Sequence, residues 1–186
     1  MGYSNLKVKQ LYGAKKIIGS EVNRLDKDIS LLSYIYGKPE SYYQKLSFKS
    51  LALYRNTIAE LYDDAPGFRI RKYIIVNGKV YKLLTDCRKF STGRFLGLKA
   101  HISNGIEKNF NKIVALCYKP LIGAENLDEH GNYVDLNPNE IEKMEQAFNN
   151  TKVSKVAGGV FFYLNVSNAL NSTLQIYLSS LIREVK

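Results

Sequence analysis

Two β-rich runs on either side of Asn77-Gly78 constrain the fold more than any other part of the sequence. Asn-Gly is the preferred central pair of a two-residue type I′ turn, because both positions require a positive φ. The sequence therefore predicts an antiparallel hairpin over residues 69–84. Each face of this hairpin carries both apolar residues and cations, so the pattern alone does not decide which face is buried. We expect the core-facing residues to be Ile74, Val76, Tyr81 and Leu83, with Arg71, Tyr73 and Lys82 pointing outward.

An isolated hairpin is marginally stable in water, so this one must pack on helices or pair with another strand. Helix-start signals precede apolar stripes at Ser20-Glu21, Ser47 and Ser91-Thr92. The stripe of the third of these helices is expected to turn Phe95, Leu98 and Ile102 inward. A further helix is predicted from about residue 106 to 118, ended by Pro120. The fold class we predict is α+β, mainly α: a helical domain with one β-hairpin.

The start of a helix is clearest at Asn137-Pro138, where an Asn cap, a Pro and a Glu follow the preferred order. With 186 residues and 45% hydrophobic composition, the chain has enough apolar material for one domain. We divide it into a helical N-terminal part (1–66), a basic hairpin with helices (67–120) and an acidic loop with C-terminal helices (121–186).

Residues 156–182 carry no charge and are numerous enough to span a bilayer. The segment contains Asn, Gln, Ser and Thr residues, and polar side chains are costly in lipid. We therefore predict a helix buried against protein neighbours and no membrane partner. The Gly158-Gly159 pair within it lacks the phosphate-binding pattern and favours close helix packing.

Positive charge is concentrated in the middle of the chain. Residues 67–120 hold twelve of the 27 basic residues and two of the 17 acidic ones. A localised basic block is typical of a surface that binds a polyanion or an acidic partner. The candidate docking residues are Arg69, Arg71, Lys72, Tyr73, Lys79, Lys82, Arg88, Lys89, Arg94, Lys99, Lys108 and Lys112.

Three interpretations of this block remain open. Tyr73 and Tyr81 lie among the cations, an arrangement that suits stacking on single-stranded nucleic acid. The charge would equally steer docking on an acidic protein surface, or it is ordinary solvated lysine and arginine. No known nucleic-acid-binding motif is present.

The sequence contains little that indicates catalysis. Its two cysteines, Cys87 and Cys117, and two histidines, His101 and His130, lack metal-ligand or nucleophile spacing. The acidic stretch around Asp128 lacks the ligand spacing of a calcium loop. We therefore predict no enzymatic activity, no cofactor and no metal site.

The segment from Tyr73 to Leu170 resembles a family of proteins from tailed bacteriophages of Bacteroidetes, including crAss-like phages. The resemblance rests on "YIIVNGKVYKLL", "FSTGRFLGLKAHI", "NFNKIVALCYKPL" and "AGGVFFYLNVSNAL", in that order. The family has a Gly-Gln-Phe-Ile-Asp run where this chain reads Gly93-Arg94-Phe95-Leu96-Gly97, so a basic residue is gained and an acidic one is lost.

The resemblance implies a gene from the virion or assembly region. The expected function is that of a virion-associated structural protein, as a capsid, neck, tail or cargo component, acting through protein–protein contacts. The expected partners are other virion proteins, including copies of the chain itself, in the virion and in the host cytoplasm during assembly. The alternative is a nucleic-acid-binding protein that uses residues 67–120 on DNA.

Overall fold

Helices form most of the structure, a computed structural model that describes residues 2–63, 68–121, 127–128 and 133–166. One small antiparallel sheet of order β1-β2-β3 completes it, and the α+β, mainly α class is confirmed. The strands are β1 (Tyr73–Val76), β2 (Lys79–Leu83) and β3 (Tyr118–Pro120). The helices are α1 (Gly2–Asn5), α2 (Leu11–Ile18), α3 (Arg24–Tyr36), α4 (Glu40–Gln44), α5 (Phe48–Ile58), α6 (Thr92–Ser103), α7 (Phe110–Cys117), α8 (Pro138–Asn149) and α9 (residues 153–166).

Side-chain caps fix where three of the predicted helices begin. The hydroxyl of Ser47 accepts from the Ser50 amide, and the hydroxyl of Ser91 accepts from the Arg94 amide. Asn137 forms a capping box with Glu140, in which each side chain accepts from the other residue's amide. These caps satisfy amides that have no partner inside the helix.

The start of α3 was predicted three residues too early. The Ser20 hydroxyl donates back to the carbonyl of Ile17 at 2.7 Å and so closes α2. The cap of α3 is Asn23, whose side chain accepts from the Asp26 amide at 3.0 Å. The helix ends at Gly37, which adopts φ 70°.

The hairpin has the register that a two-residue loop requires, with Ile74 opposite Tyr81. Its turn residues Asn77 and Gly78 have φ values of 50° and 75°, as a type I′ turn demands. The predicted buried face is confirmed, since the buried residues are Ile74, Val76, Tyr81 and Leu83.

A third strand, which the sequence did not predict, extends the hairpin at the point where the predicted helix ends. The helix ends at Cys117, and the next three residues pair with β2, placing Tyr118 opposite Leu83 and Pro120 opposite Tyr81. Proline is acceptable here because an edge strand leaves alternate amides unpaired. The helix also begins later than expected, at Phe110, after a turn in which Gly105 has φ 101°.

The core is densest around α7. Every residue from Ile113 to Tyr118 is buried, and α7 packs on α6 and α8. The Phe148 ring of α8 lies 5.0 Å from Tyr81 and 6.1 Å from Tyr118, measured between centroids, which joins helix to sheet. The expectation that Phe95 packs inward was wrong: it is exposed, while Leu98 on the same helix is buried.

Helix α9 passes close to the chain that leads into the hairpin. A Cβ atom at Gly158 would collide with the backbone carbonyl of Arg69, and one at Gly159 would lie 2.8 Å from the Tyr118 hydroxyl. The predicted close packing is thus present, and Val156, Ala157 and Val160 are fully buried. The rest of the uncharged segment lies outside the described residues. Within them, no helix is long and apolar enough to cross a membrane.

The N-terminal helices are tied to the C-terminal part through the main chain. The amide of Val8 donates to the carbonyl of Thr151 at 2.9 Å, and the amide of Val153 donates to the carbonyl of Leu6 at 2.8 Å. Helices α2 to α5 pack beside this link, with Leu31, Leu32, Tyr43 and Ile58 buried among them.

Candidate docking surface

The side of the sheet that faces away from the core carries an exposed apolar row. Ile75 lies opposite Val80, and the amide of Leu121 donates to the Val80 carbonyl at 2.9 Å, which extends the row across all three strands. The three side chains are 63%, 36% and 46% exposed. Contiguous apolar residues on a surface are typical of an interaction site.

A second row runs beside the first and is mostly cationic. Tyr73 lies opposite Lys82, which lies opposite Lys119. Burial and the positive charge of Arg94 lower the pKa of Lys119, whereas Asp135 acts in the opposite direction. We name the two rows together the outer sheet face, which consists of Tyr73, Ile75, Val80, Lys82, Lys119 and Leu121.

Further cations lie at the ends of the two hairpin strands. Arg69, Arg71 and Lys72 are exposed on the chain entering β1, and Lys79 is exposed beyond the turn. The Lys72 ammonium lies 5.7 Å from the centre of the Tyr73 ring, within the range of a cation–π contact. Lys79 lies opposite buried Val76 and therefore on the core side of the sheet, whereas Arg71 alternates with Tyr73 on the outer side. The outer sheet face is thus an apolar row with a mostly cationic row beside it.

The entry to β1 is held firmly against the core. The Tyr118 hydroxyl donates to the carbonyl of Arg71 at 3.2 Å, and the Leu83 amide donates to the carbonyl of Lys72 at 2.8 Å. The collision that a side chain at Gly158 would cause with Arg69 shows how closely α9 approaches this segment. The surface is therefore preformed, which reduces the entropy lost when a partner binds.

Arg94 does not belong to this surface, contrary to the sequence prediction. Its side chain is 2% exposed, and its Nε donates to Asp135 Oδ1 at 3.1 Å. Its Nη1 donates to the carbonyl of Leu116 at 3.2 Å. Since the charge is used inside the fold, Arg94 joins α6, α7 and the segment before α8 rather than binding a partner.

The other predicted cations are distributed over different parts of the surface. Lys89 is half-buried, with its ammonium 6.0 Å from the ring centre of Tyr133. Lys99 is exposed on α6, and Lys108 is exposed in the turn before α7 rather than on the helix. Lys112 acts electrostatically on His101 and Glu145. The side chain of Arg88 lies outside the described part of the structure.

Sequence reasoning missed four residues of the outer sheet face, Ile75, Val80, Lys119 and Leu121. The sequence signal was a short alternation directly after a buried helix. Tyr118 and Pro120 face the core side of the sheet, whereas Lys119 and Leu121 face the outer side. We interpreted Pro120 only as the end of that helix, and so did not place it in a strand.

A polar cluster around Asp28 lies away from the sheet. Asp28 is buried and accepts from Arg55 Nε at 2.5 Å, Arg24 Nε at 3.2 Å and the Tyr62 hydroxyl at 2.7 Å. Burial and the bond to Asp28 raise the pKa of Tyr62. The three bonds of this carboxylate help to join α3 to α5. The cluster therefore has a structural role.

Tyr163 lines a small pocket between α6 and α9, and its hydroxyl is buried and hydrogen-bonds to none of the described residues. Cys87 and Leu98 line the same pocket. Burial raises the pKa of Cys87 and, more strongly, that of Cys117, so both thiols favour the protonated form. Among the described residues, no group of three His, Cys, Asp or Glu side chains is placed to hold a metal ion.

Comparisons of this chain with protein-family models, with curated proteins and with solved structures found no match.

Proposed function

We propose that this chain is a virion-associated structural protein of a tailed bacteriophage, and that it docks on partner proteins through the outer sheet face. The virion context comes from the resemblance of the segment Tyr73 to Leu170 described above. The docking role is supported by the apolar row of Ile75, Val80 and Leu121 with a mostly cationic row beside it. Apolar surface bordered by polar, charged residues is the usual anatomy of a protein–protein interface.

The same row makes nucleic acid a weaker candidate. Single-stranded nucleic acid is held by aromatic platforms for the bases and by cations for the phosphates. Here the apolar row is aliphatic, and Tyr73 is the single aromatic residue of the outer sheet face. Burying Ile75 and Val80 against another apolar surface would contribute about 25 cal/mol for each Å² removed from water, which phosphate contacts cannot provide.

Mass spectrometry of purified particles of the encoding phage tests the virion assignment. We expect the chain among the particle proteins. Its absence from particles, with normal expression in infected cells, would contradict the virion role and leave a transient assembly factor.

A paired substitution tests the docking surface separately. Ile75→Ser with Val80→Ser should reduce incorporation into particles by about tenfold, the effect of roughly 1.4 kcal/mol. Leu53→Ser is the matched control, since Leu53 is 66% exposed on α5 and lies outside the outer sheet face. Equal incorporation of both variants would show that this face is not the interface.

DNA binding stays as the second candidate because Tyr73 is half-exposed beside Lys72 and Arg71. Filter binding of single-stranded DNA against salt concentration tests it. A role on DNA requires binding at about 50 mM salt and a steep negative slope of log affinity against log salt. No binding at that salt concentration would reject this candidate.

A further inference from the structure

Among the described residues, no strand pairs with one edge of β1. In the observed register, Lys72, Ile74 and Val76 direct their amides and carbonyls toward β2, as the bond from the Leu83 amide to the Lys72 carbonyl shows. The main-chain groups of Tyr73 and Ile75 therefore point away from β2. None of the described residues hydrogen-bonds to them there, because β1 is the first strand of the order β1-β2-β3.

Within β1 itself, two of the usual protections against an added strand, a proline and a bulge, are absent. Natural edge strands are commonly blocked by a charged residue, a proline, a bulge or a covering helix. Here the two residues with outward-pointing amides are Tyr73 and Ile75, and their side chains are 49% and 63% exposed. An open edge bordered by exposed apolar side chains is the arrangement that β-strand addition uses.

The charge around the edge selects the kind of strand that fits. Arg71 and Lys72 are exposed just before β1. Residues 69–84 contain no carboxylate, so a second copy of β1 would give these cations no opposite charge. A segment with carboxylates would place opposite charge there.

We propose that the free edge of β1 binds an extended acidic segment of a partner protein as an added antiparallel strand. The inference deepens the proposed docking function and rests on it. An antiparallel strand would place apolar residues opposite Ile75 and Tyr73 and acidic residues opposite Lys72 and Arg71. The segment it selects therefore has the order apolar, any residue, apolar, acidic, acidic.

The probe is a fluorescent synthetic peptide with the core Val-Thr-Val-Glu-Glu, titrated with the full-length chain and followed by anisotropy. Binding should fall at least about tenfold when both Glu are replaced by Lys. It should fall similarly when the two Val amides are N-methylated, since each lost hydrogen bond to the edge costs about 0.5–1.5 kcal/mol. Equal binding of the Lys peptide or of the N-methylated peptide would overturn the proposal.

Ile75→Pro tests the protein side of the same bond. Proline removes the outward amide of residue 75 and leaves the bonds of Ile74 and Val76 to β2 in place, which is where an edge strand tolerates proline. We expect at least a fivefold loss of affinity, with Ile75→Val, which keeps the amide, close to the unchanged chain. If Ile75→Pro does not fold, as judged by circular dichroism, the N-methylated peptide decides the question alone.

Three outcomes separate this proposal from others. Failure of the peptide to bind, while the chain is found in virions and the Ile75/Val80 double variant is excluded, would overturn strand addition but not the docking face. Peptide binding by a chain absent from virions would overturn the virion role alone. A dimer in sedimentation that the peptide does not dissociate would assign the edge to a second copy and overturn the acidic partner.

Discussion

At the scale of single residues, the buried charges are the ones most tightly constrained. Asp28 and Arg94 are each nearly inaccessible, and each is bonded to groups on other elements. A buried charge without a partner is far less stable than a paired one, so these positions tolerate few substitutions. The exposed cations of the basic block have no such constraint.

Replacing Asp28 by Asn should lower the free energy of unfolding by about 2–3 kcal/mol, because Arg55 and Tyr62 lose a charged acceptor in a buried place. Arg24→Ala should cost under about 1 kcal/mol, since the Arg24 side chain is 57% exposed and its pair with Asp28 is partly screened. Urea unfolding of the two variants measures both. A similar loss of stability in both variants would show that the exposed Arg24–Asp28 pair contributes as much as the buried bonds of Asp28.

Replacing Arg94 by Gln should destabilise the fold by about 1–3 kcal/mol, because the carbonyl of Leu116 and the carboxylate of Asp135 lose their donor. Lys99→Gln on the same helix is the control and should change stability by less than about 0.5 kcal/mol, since Lys99 is exposed. Thermal melts compare the two. If Arg94→Gln leaves the thermal stability unchanged, the two hydrogen bonds of Arg94 contribute little.

The stability of the chain should fall on acidification partly through His101. Burial, followed by the charge of Lys112, lowers the pKa of this imidazole below its ordinary value of about 6.5. The unfolded chain then binds the proton more readily, so stability is lost as pH falls from above 6.5 through the folded pKa. His101→Gln should show a smaller loss between about pH 7 and 5 in urea unfolding, and an unchanged loss would contradict this role.

At the scale of elements, contacts between segments distant in sequence determine the arrangement. The sheet is complete only when β3, which follows α7, reaches β2. The hairpin entry is held by α9, whose glycines allow the backbones to meet. Each element is thus positioned by a partner that lies far away along the chain.

Two glycine substitutions should have opposite effects on stability. Gly158→Ala should destabilise by about 1–3 kcal/mol, because the added methyl group overlaps the Arg69 backbone. Gly97→Ala, within helix α6, should stabilise by about 0.5–1 kcal/mol, because alanine restricts the unfolded chain more than glycine does. The added Cβ would lie 3.7 Å from Leu116 Cδ1, which is an ordinary contact distance. Parallel unfolding curves measure both, and a tolerated Gly158→Ala would show that α9 can move away from the hairpin entry.

Local signals explain why part of the fold was predictable and part was not. The hairpin and the helices begun by Ser47, Ser91 and Asn137 carry their own signals in neighbouring residues. Strand β3 has only a short alternation as its signal, because Tyr118 to Pro120 becomes a strand only through pairing with β2. The burial of Arg94 likewise depends on Asp135, 41 positions away, so no local pattern distinguishes it from an exposed arginine.

The residues of the candidate surface were likewise predictable only where a local signal placed them. The outward placement of Tyr73 and the charges around it were predictable from the alternation within the hairpin. The contribution of Lys119 and Leu121 required the third strand. The distribution of Lys99, Lys108 and Lys112 away from the sheet required the helix packing.

At the scale of the whole molecule, the net charge of +10 opposes the compact state. Raising NaCl from about 20 to 300 mM should therefore raise the thermal midpoint, because salt screens repulsion among exposed cations. Scanning calorimetry at several salt concentrations tests this expectation. A midpoint that falls with salt would mean that ion pairs outweigh the repulsion.

The bonds that join Leu6 and Val8 to Thr151 and Val153 have a consequence for the order in which the protein matures on the ribosome. The N-terminal segment is translated first, yet its hydrogen-bonding partners are among the last described residues to be made. Helices α2 to α5 can form while translation continues, but the first residues wait for their partners until residue 153 has left the exit tunnel. The link between the two ends of the described fold therefore forms only after most of that fold has been made.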